Sequence, residues 1–359
     1  MDTRQLTRDL VAIPSHDDET AAGDFIETWL REETDGRVER DDHGNVIARK
    51  NESASTTLAL VGHHDVVPPD ESQVDGDEYV LDDRDGRLYG RGSADMKAAV
   101  AAAMTAFRDV TDLDCELVFV SFVGEEAGGV GARAAIDDGF VPDYAIVGEG
   151  TTGYSGEGVT DVAVAHKGRR GSTIHAEGKA AHASEVERGE NAIYRASDAI
   201  DVVRDLDFPT TEVLGHEVQG SVAVTEIDGG SAWNVIPESC EVTVDERTVP
   251  DERAPLSRVE DIDGVSWTVD QDLPPMACDD AAFADLVLDA AAQSQDGSPE
   301  QVVKPHATDA GWLARAGTTC IICGAAEPGE AHTASESVSY DVADRCARLY
   351  QAAAERFSG

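Results

Sequence analysis

Residues 57–63, TLALVGH, form an almost unbroken apolar run that ends on a histidine. Three similar runs follow along the chain: ELVFVSFVGEE (116–126), DYAIVGE (143–149) and TTCIICG (318–324). Helical stretches such as MKAAVAAAMTAF lie between them. Strands that are apolar on both faces and alternate with helices are typical of a largely parallel sheet covered by helices. The four runs therefore predict an α/β unit.

The sequence between the third and fourth runs has a different pattern of polar and apolar residues. VAVAHKGRRG, STIHAEG, GSVAVTEIDGG and SCEVTVDER alternate polar and apolar residues, as strands with one solvated face do. NAIYRASDAIDVVRDL, among them, is amphipathic at helical spacing. We therefore expect a smaller α+β domain at 165–271, inserted into an α/β domain made of 1–164 and 272–359.

The charge balance limits the possible partners. Asp and Glu number 72 against 28 Lys and Arg, which gives a net charge of −44, and only five of the basic residues are lysine. No basic stripe exists that could neutralise phosphates, so nucleic acid is excluded as a partner. The acids are spread along the whole chain, which favours a protein from a salt-loaded cytoplasm over an ordinary acidic protein, because molar salt screens their mutual repulsion.

Cysteine usage and hydropathy predict a cytoplasmic protein. The six cysteines are scattered through apolar or helical contexts, which indicates a reduced, intracellular chain. The start MDTRQLTRDLVAIPS lacks the apolar run of a signal peptide, and AAVAAAMTAF is too short for a membrane span. Cys320 and Cys323 form a C-x-x-C pair, but no second pair completes a four-ligand site, so core cysteines are the better interpretation.

Potential metal ligands fall where the apolar runs end. The candidates, in run order, are His63 and Asp65, then Glu125 and Glu126, then Glu149, then His332 in the loop after the fourth run. Asp95 joins them from YGRGSADMKAAV, a Gly-rich turn that leads into a helix. Ligands of open α/β sheets bind outside the carboxyl ends of the strands, so these side chains are expected to converge on one crevice.

Taken singly, each candidate has an ordinary explanation, since most acids here are solvated surface charges and a lone histidine is more often structural than a ligand. Their joint placement favours a ligand set. Two histidines, His63 and His332, and three carboxylates, Asp95, Glu126 and Glu149, suit two divalent ions such as zinc, cobalt or manganese that share one carboxylate. Two dications against three carboxylates leave a net positive centre, which suits hydrolytic chemistry.

In this order, the residues resemble the zinc metallopeptidase and deacylase family that contains succinyl-diaminopimelate desuccinylase, acetylornithine deacetylase, aminoacylase and carboxypeptidase G. The motifs that carry the resemblance are GHHDVVP, LYGRGSADMKAAVAA, FVGEEAGGVGA, VGEGT, HKGRRGS, AAHASEVERGENAI, GGSAWNVIPESCEVTVDER and AHTASESV. The resemblance covers nearly the whole chain. It implies a zinc-aminopeptidase-like catalytic domain with a mostly parallel central sheet, and an inserted ferredoxin-like lid or dimerisation domain.

The resemblance also implies roles for the metal ligands. One ion would be held by His63 and Glu149 and the other by Glu126 and His332, with Asp95 bridging them. Zinc is the expected metal, with cobalt or manganese as alternatives.

Two further residues beside the ligands receive roles from the same resemblance. Glu125 would be the general base that takes a proton from water and passes it to the leaving amine. Asp65 would accept a hydrogen bond from the His63 ring and fix its tautomer.

The resemblance places substrate-facing residues in the inserted domain. His182 matches the histidine with which the family polarises the scissile carbonyl, commonly across a dimer, although it could be an ordinary exposed loop histidine. Asn234 and Arg247 match positions near the substrate, where Arg247 could bind a carboxylate or serve only as a surface ion-pair partner. Thr308 and Asp309 fall near a substrate loop.

The function expected from this set is removal of an acyl group from an N-acyl amino acid by a homodimeric enzyme. A dipeptidase or carboxypeptidase of the same family is the nearest alternative. A hydrolase of a carrier-protein-linked amino acid is disfavoured, because an acidic carrier would meet an acidic enzyme. A catalytically silent metal-binding scaffold is the alternative of a different class, and it would have no need of both Glu125 and Glu126.

His63 and His64 are adjacent, but strand geometry separates them. Side chains two apart share a face, so His63 and Asp65 can act together while His64 points the other way. We therefore expect His63 to be a ligand and His64 a packing or surface residue.

Overall fold

The computed structural model describes residues 1–359, which divide into two compact units. The larger unit contains Met1–Ala165, Met276–Lys304 and Thr308–Gly359. The smaller unit contains His166–Pro275 and Pro305–Ala307.

A nine-stranded mixed sheet forms the centre of the larger unit. Its strands, in spatial order, are Arg37–Arg40, Val46–Lys50, Glu116–Phe122, Thr57–His63, Tyr144–Val147, Thr319–Ile322, Val162–His166 and Met276–Ala277, with Gln301–Lys304 paired to Val162–His166. The four strands in the middle of this order are parallel to one another, and they are the four apolar runs of the sequence. The α/β class is confirmed. The outer strands differ from a fully parallel sheet, because the tight connection between Arg37–Arg40 and Val46–Lys50 makes that pair antiparallel.

Both faces of the central strands are buried, which explains their unbroken apolar character. In Thr57–His63 every residue after the first is buried. Ala59 and Val61 pack in the core with residues of the helices Val130–Asp137 and Asp309–Ala316. Gly62 faces Val100 of the helix Ala98–Asp109 on the opposite side. Because successive side chains point to opposite faces of the sheet, this strand contributes to the apolar layers on both faces.

The eight α-helices are Thr3–Val11, Thr20–Glu33, Ala98–Asp109, Val130–Asp137, Ala192–Arg204, Ala281–Gln293, Asp309–Ala316 and Tyr340–Arg356. Several begin at residues whose side chains accept a backbone N–H, as Asp2 and Asp280 do. No helix has both the length and the apolar character that a bilayer span requires. All six cysteines are free and buried, including Cys320 and Cys323.

The smaller unit is built on a four-stranded antiparallel sheet. Its strands, in spatial order, are Ser221–Gly229, Ser239–Thr248, Gly168–Glu177 and Val265–Leu273. The helix Ala192–Arg204 and the 3-10 turn Leu256–Asp261 form an apolar core with the sheet. Residues of Ser239–Thr248 alternate between buried and more exposed, as the polar and apolar alternation of the sequence predicts.

Short strands complete the two units. In the larger unit they are Val74–Asp75, Glu78–Tyr79, Asp82–Arg84, Arg87–Tyr89 and Ser337–Ser339. In the smaller unit they are Ala181–His182 paired with Val235–Ile236, and Thr210–Val213 paired with His216–Gln219.

Candidate metal centre

Three of the candidate segments follow the carboxyl ends of neighbouring parallel strands. His63 is the last residue of its strand, Glu125 and Glu126 follow Phe122, and Glu149 follows Val147. The register pairs His63 with Phe122, so these ends lie at one edge of the sheet. The strand topology thereby brings together residues that are far apart in the sequence.

His63 is almost completely buried and contacts three carboxylate residues. Its Nδ1 lies 3.1 Å from the backbone oxygen of Asp65 and 3.3 Å from Asp65 Oδ1. Its Nε2 lies 3.2 Å from Asp95 Oδ1 and 3.5 Å from Glu149 Oε1. The ring is therefore held on one side by Asp65 and presents Nε2 to the other two carboxylates.

Asp95 stands between the two candidate histidines. Its Oδ1 faces His63, and its Oδ2 lies 3.1 Å from Nε2 of the half-exposed His332. The turn before it depends on Gly92, which has a φ of 79° and leaves only 2.6 Å between an ideal Cβ and Val66 Cγ1. A glycine is required there, because a side chain would meet both strain and a clash.

The candidate ligands form two groups that share Asp95. One contains His63, Asp95 and Glu149, and the other contains Asp95, Glu126 and His332. Within each group the ligand atoms lie within 4.8 Å of one another, and His332 Nε2 is 2.8 Å from Glu126 Oε1. Ligand atoms of a tetrahedral zinc site with bonds of about 2.0–2.1 Å are about 3.3 Å apart. The spacing and the N/O donor set therefore fit two divalent ions that share a carboxylate.

Asp65 has a second contact that strand alternation did not predict. Its Oδ1 accepts the backbone N–H of Glu125 at 3.1 Å, and its Oδ2 accepts that of Glu126 at 3.0 Å. Burial would raise the pKa of Asp65, but the His63 ring and these two N–H groups hold it below its usual value. Asp65 thus ties the orientation of His63 to the loop that carries both glutamates.

The acids of the centre raise the proton affinity of their neighbours. Burial opposes protonation of His63, yet its hydrogen bonds to carboxylates raise its pKa well above the ordinary value. Hydrogen bonds to Asp95 and Glu126 raise the pKa of His332 to about 10. Burial raises the pKa of Glu125 well above its usual value, and nearby carboxylates add to the shift while His63 opposes it. The cluster therefore has a deficit of positive charge, which bound cations would relieve.

Glu336 contributes to this centre, although nothing in the sequence distinguishes it from the other Asp and Glu residues, which number 72 in all. Its carboxylate is fully buried and pairs with Arg91. Its Oε1 also accepts the backbone N–H of Ala94 at 3.0 Å and of Asp95 at 3.2 Å. Because His332 lies four residues earlier, Glu336 fastens the loop of one candidate ligand to the turn that carries another.

Lys304 is a second residue that sequence reasoning missed. Its buried Nζ donates to the backbone oxygen of Gly150 at 2.9 Å and lies 3.5 Å from Glu149 Oε2. Burial works against its charge, but Glu149 raises the pKa of Lys304 above the ordinary value. One signal was available: a lysine at the end of the apolar run QVVK is unusual in a chain with only five.

Asp309 is buried, and neither of its carboxylate oxygens has a hydrogen-bond partner. Burial raises its pKa to about 7; the charge of His63 opposes this, and the carboxylates of Asp65, Glu149 and Glu126 add to it. Thr308, before it, caps the helix through the backbone N–H of Ala310.

His64 lies away from the ligand groups. Its side chain is fully buried, and its Nδ1 is 2.9 Å from the hydroxyl of Ser121. Burial lowers its pKa to about 3. Of the two expectations for His64, packing and surface exposure, the structure shows packing.

The predicted substrate residues of the smaller unit lie in two places. His182 is exposed at the end of a two-residue strand, and Ala183 donates its backbone N–H to the oxygen of Asn234 at 2.9 Å. Arg247 lies in the sheet, where its Nε and Nη2 contact Asp245 at 2.7 and 3.4 Å. His182 and Asn234 therefore lie close together in the smaller unit. The guanidinium of Arg247 already has a carboxylate partner, Asp245.

Three solved structures share the fold over almost their full lengths. Aminopeptidase PepT of Bacillus cereus has a TM-score of 0.79 at 19% identity, over 98% of each chain. A tripeptidase of Staphylococcus aureus has a TM-score of 0.75 at 19% identity, over 98% of this chain and 97% of its own. A dinuclear metal binding peptidase of the M20 family from Bacillus subtilis has a TM-score of 0.73 at 17% identity, over 98% and 96%.

The family comparison agrees with the motifs quoted from the sequence. The model of peptidase family M20/M25/M40 matches residues 59–356, which is well over half of the chain and includes every candidate metal ligand. Dinuclear metal binding is implied by this family and fits the two ligand groups. The chain therefore belongs to peptidase family M20/M25/M40 and is a metal-dependent hydrolase of amide bonds.

Proposed function

We propose that this hydrolase removes the acyl group from an N-acyl amino acid, in the manner of succinyl-diaminopimelate desuccinylase or acetylornithine deacetylase. The observation that carries the proposal is the position of Glu125, which is partly buried beside the two ligand groups that share Asp95. The resemblance of the quoted motifs to those deacylases supports the choice of substrate. The products are a carboxylic acid and a free amino acid.

In this proposal His63 and Glu149 would hold one ion, Glu126 and His332 would hold the other, and Asp95 would be shared between the two sites. Zinc is the preferred metal, because imidazole and carboxylate donors at this spacing suit it. Bound at this centre, two divalent ions would polarise an amide carbonyl and lower the pKa of a water molecule.

Glu125 is the proposed general base. One of its carboxylate oxygens accepts a proton from the attacking water while the hydroxyl adds to the acyl carbon, and the same oxygen then delivers the proton to the leaving nitrogen. Asp65 holds the backbone of Glu125 and so keeps the base in place. Water is consumed, the C–N bond breaks, and the carboxyl group of Glu125 returns to its starting state.

The smaller unit supplies the proposed substrate contacts. His182 donates a hydrogen bond to the carbonyl oxygen of the scissile amide, where negative charge develops. Asn234, held beside His182 by the backbone, binds the substrate as well. Arg247 would bind a substrate carboxylate, which requires it to exchange its present partner Asp245.

A peptidase that acts on short peptides is the second candidate. It is favoured by the fold match to an aminopeptidase and a tripeptidase over 98% of this chain. A deacylase and a peptidase of this kind share the chemistry of the reacting amide and differ in the group on its carbonyl side, which is an acyl chain in one and an amino acid in the other.

A substrate panel separates the two candidates. Metal-loaded protein in molar salt is incubated with N-succinyl amino acids, N-acetyl amino acids, dipeptides and tripeptides, and products are identified by mass spectrometry. We expect the highest kcat/KM for an N-acyl amino acid. Faster turnover of peptides with a free α-amino group would instead establish the peptidase, and no turnover of any member would contradict both.

We also propose that the protein works in the reduced, salt-loaded cytoplasm of its cell. The net charge of −44 and the six free, buried cysteines support this. The Debye length falls from about 10 Å at about 0.1 M salt to about 3 Å at about 1 M, so salt weakens both the self-repulsion of the fold and the repulsion of an anionic substrate. Melting temperature and kcat/KM should therefore rise together between about 0.1 and about 3 M KCl. Maximal values at the low end would contradict the proposal.

A homodimer formed through the smaller unit is the proposed assembly. The exposed large apolar side chains of that unit include Tyr194 (69%), Ile227 (55%) and Trp233 (98%). Ile227 lies in Ser221–Gly229, an edge strand of the sheet. Exposed aromatic groups and an unpaired strand edge both favour association. Light scattering in the same salt series would measure the mass, and a monomer throughout would contradict the dimer.

A further inference from the structure

His182 is hydrogen-bonded through one ring nitrogen to a residue of its own turn. The hydroxyl oxygen of Ser184 lies 2.7 Å from His182 Nδ1, and the backbone nitrogen of Ser184 lies 3.2 Å from the same atom. The turn is closed by the backbone N–H of Glu185, which donates to the oxygen of His182 at 2.8 Å. The short loop thus bends Ser184 back onto the ring.

The backbone contact determines which nitrogen carries the proton in the neutral ring. A peptide N–H can only donate, so Nδ1 of His182 must accept. A proton on Nδ1 would point at the N–H of Ser184, and two donors would face each other. The neutral imidazole of His182 therefore carries its proton on Nε2, and the hydroxyl of Ser184 donates to Nδ1 as well.

We propose that Ser184 is a positioning residue that fixes this tautomer, so that Nε2–H of His182 is the donor to the scissile carbonyl oxygen. The proposal rests on the role proposed above for His182. Nε2 has no hydrogen-bond partner in the protein, which leaves its N–H available to a substrate. The donor is then in place before the carbonyl oxygen becomes negative.

The same unit contains a histidine with the opposite arrangement. His175 Nδ1 lies 3.2 Å from Glu241 Oε1, and an ionised carboxylate can only accept. His175 should therefore carry a proton on Nδ1. His182 and His175 should therefore have opposite neutral tautomers, because Nδ1 faces a donor in His182 and an acceptor in His175.

Nitrogen-15 NMR of the full-length protein with labelled histidine tests the proposal directly. Spectra are recorded at about pH 8.5, where an ordinary histidine is neutral, and His182 and His175 are assigned from the spectra of His182→Gln and His175→Gln. We expect a protonated Nε2 for His182 and a protonated Nδ1 for His175. A protonated Nδ1 on His182 would overturn the proposal, whatever the activity of the enzyme.

Substitutions of Ser184 test the consequence for turnover. Ser184→Ala keeps the backbone N–H and should lower kcat by about two- to fivefold with the tautomer retained. Ser184→Thr keeps both donors and should behave as the wild type. Ser184→Pro removes both donors and should lower kcat by about tenfold or more, with a smaller effect on KM and a mixed tautomer in the spectrum. An unchanged tautomer in Ser184→Pro would overturn the proposal.

A control and an independent variant separate this proposal from the one on which it rests. Ser197→Ala, at an exposed serine of the helix Ala192–Arg204 in the same unit, should leave both the spectrum and kcat unchanged. If His182→Gln retains wild-type kcat, the proposed role of His182 is wrong even when the tautomer is as stated. If His182→Gln is impaired and the wild-type ring is protonated on Nδ1, the role of His182 stands and that of Ser184 is wrong.

Discussion

Replacing Glu125 with glutamine should lower kcat by about 10³-fold, within the range for loss of a general acid or base. Glutamine has nearly the same size and cannot accept the proton of the attacking water. KM and metal content should change little, because the two ligand groups remain intact in this variant. The melting temperature should be equal or higher, since the substitution removes a partly buried carboxyl group that lies among other carboxylates.

The matched control for this variant is Glu32→Gln, which makes the same chemical change at an exposed position of the helix Thr20–Glu33. Steady-state kinetics, metal analysis and calorimetry are measured on both proteins. Retention of more than about a tenth of the wild-type kcat in Glu125→Gln would exclude a general-base role. A loss of activity that accompanies a loss of metal would assign Glu125 to ion binding instead.

The fold was largely predictable because its core strands carry an unambiguous signal. Parallel strands buried on both faces must be apolar throughout, and TLALVGH and its three counterparts are the four parallel strands of the sheet. The antiparallel outer strands were less visible. Arg37–Arg40 is partly exposed and charged, so its sequence RVER resembles an ordinary surface segment.

The candidate centre was predictable where ligand-type residues coincide with strand ends. His63, Glu126 and Glu149 follow from that rule, and the structure gathers them with Asp95 and His332. The supporting residues do not follow from it. Glu336 accepts backbone N–H groups with its buried carboxylate, and Lys304 places a buried ammonium beside Glu149. Such contacts depend on tertiary packing.

The two adjacent histidines provide the second large effect. His63→Ala should reduce bound metal from about two ions to about one per chain, since one ligand group loses its only imidazole. Activity should fall by more than about 100-fold. Loss of a residue that only hydrogen-bonds to a metal ligand costs up to about 100-fold, and loss of the ligand itself should cost more. Metal content is measured by elemental analysis after dialysis, and metal affinity by titration of the apoprotein.

His64→Gln is the control, because it changes the neighbouring ring and leaves every candidate ligand in place. Its metal content and kcat should match the wild type. Its free energy of unfolding should fall by about 1–2 kcal/mol, because glutamine replaces a fully buried ring that is hydrogen-bonded to Ser121. Equal loss of metal in both variants would mean that the strand does not separate the two side chains as its alternation requires, and would remove His63 from its proposed role. Loss of metal in His63→Ala alone, with loss of stability in His64→Gln alone, would assign one residue to ion binding and the other to packing.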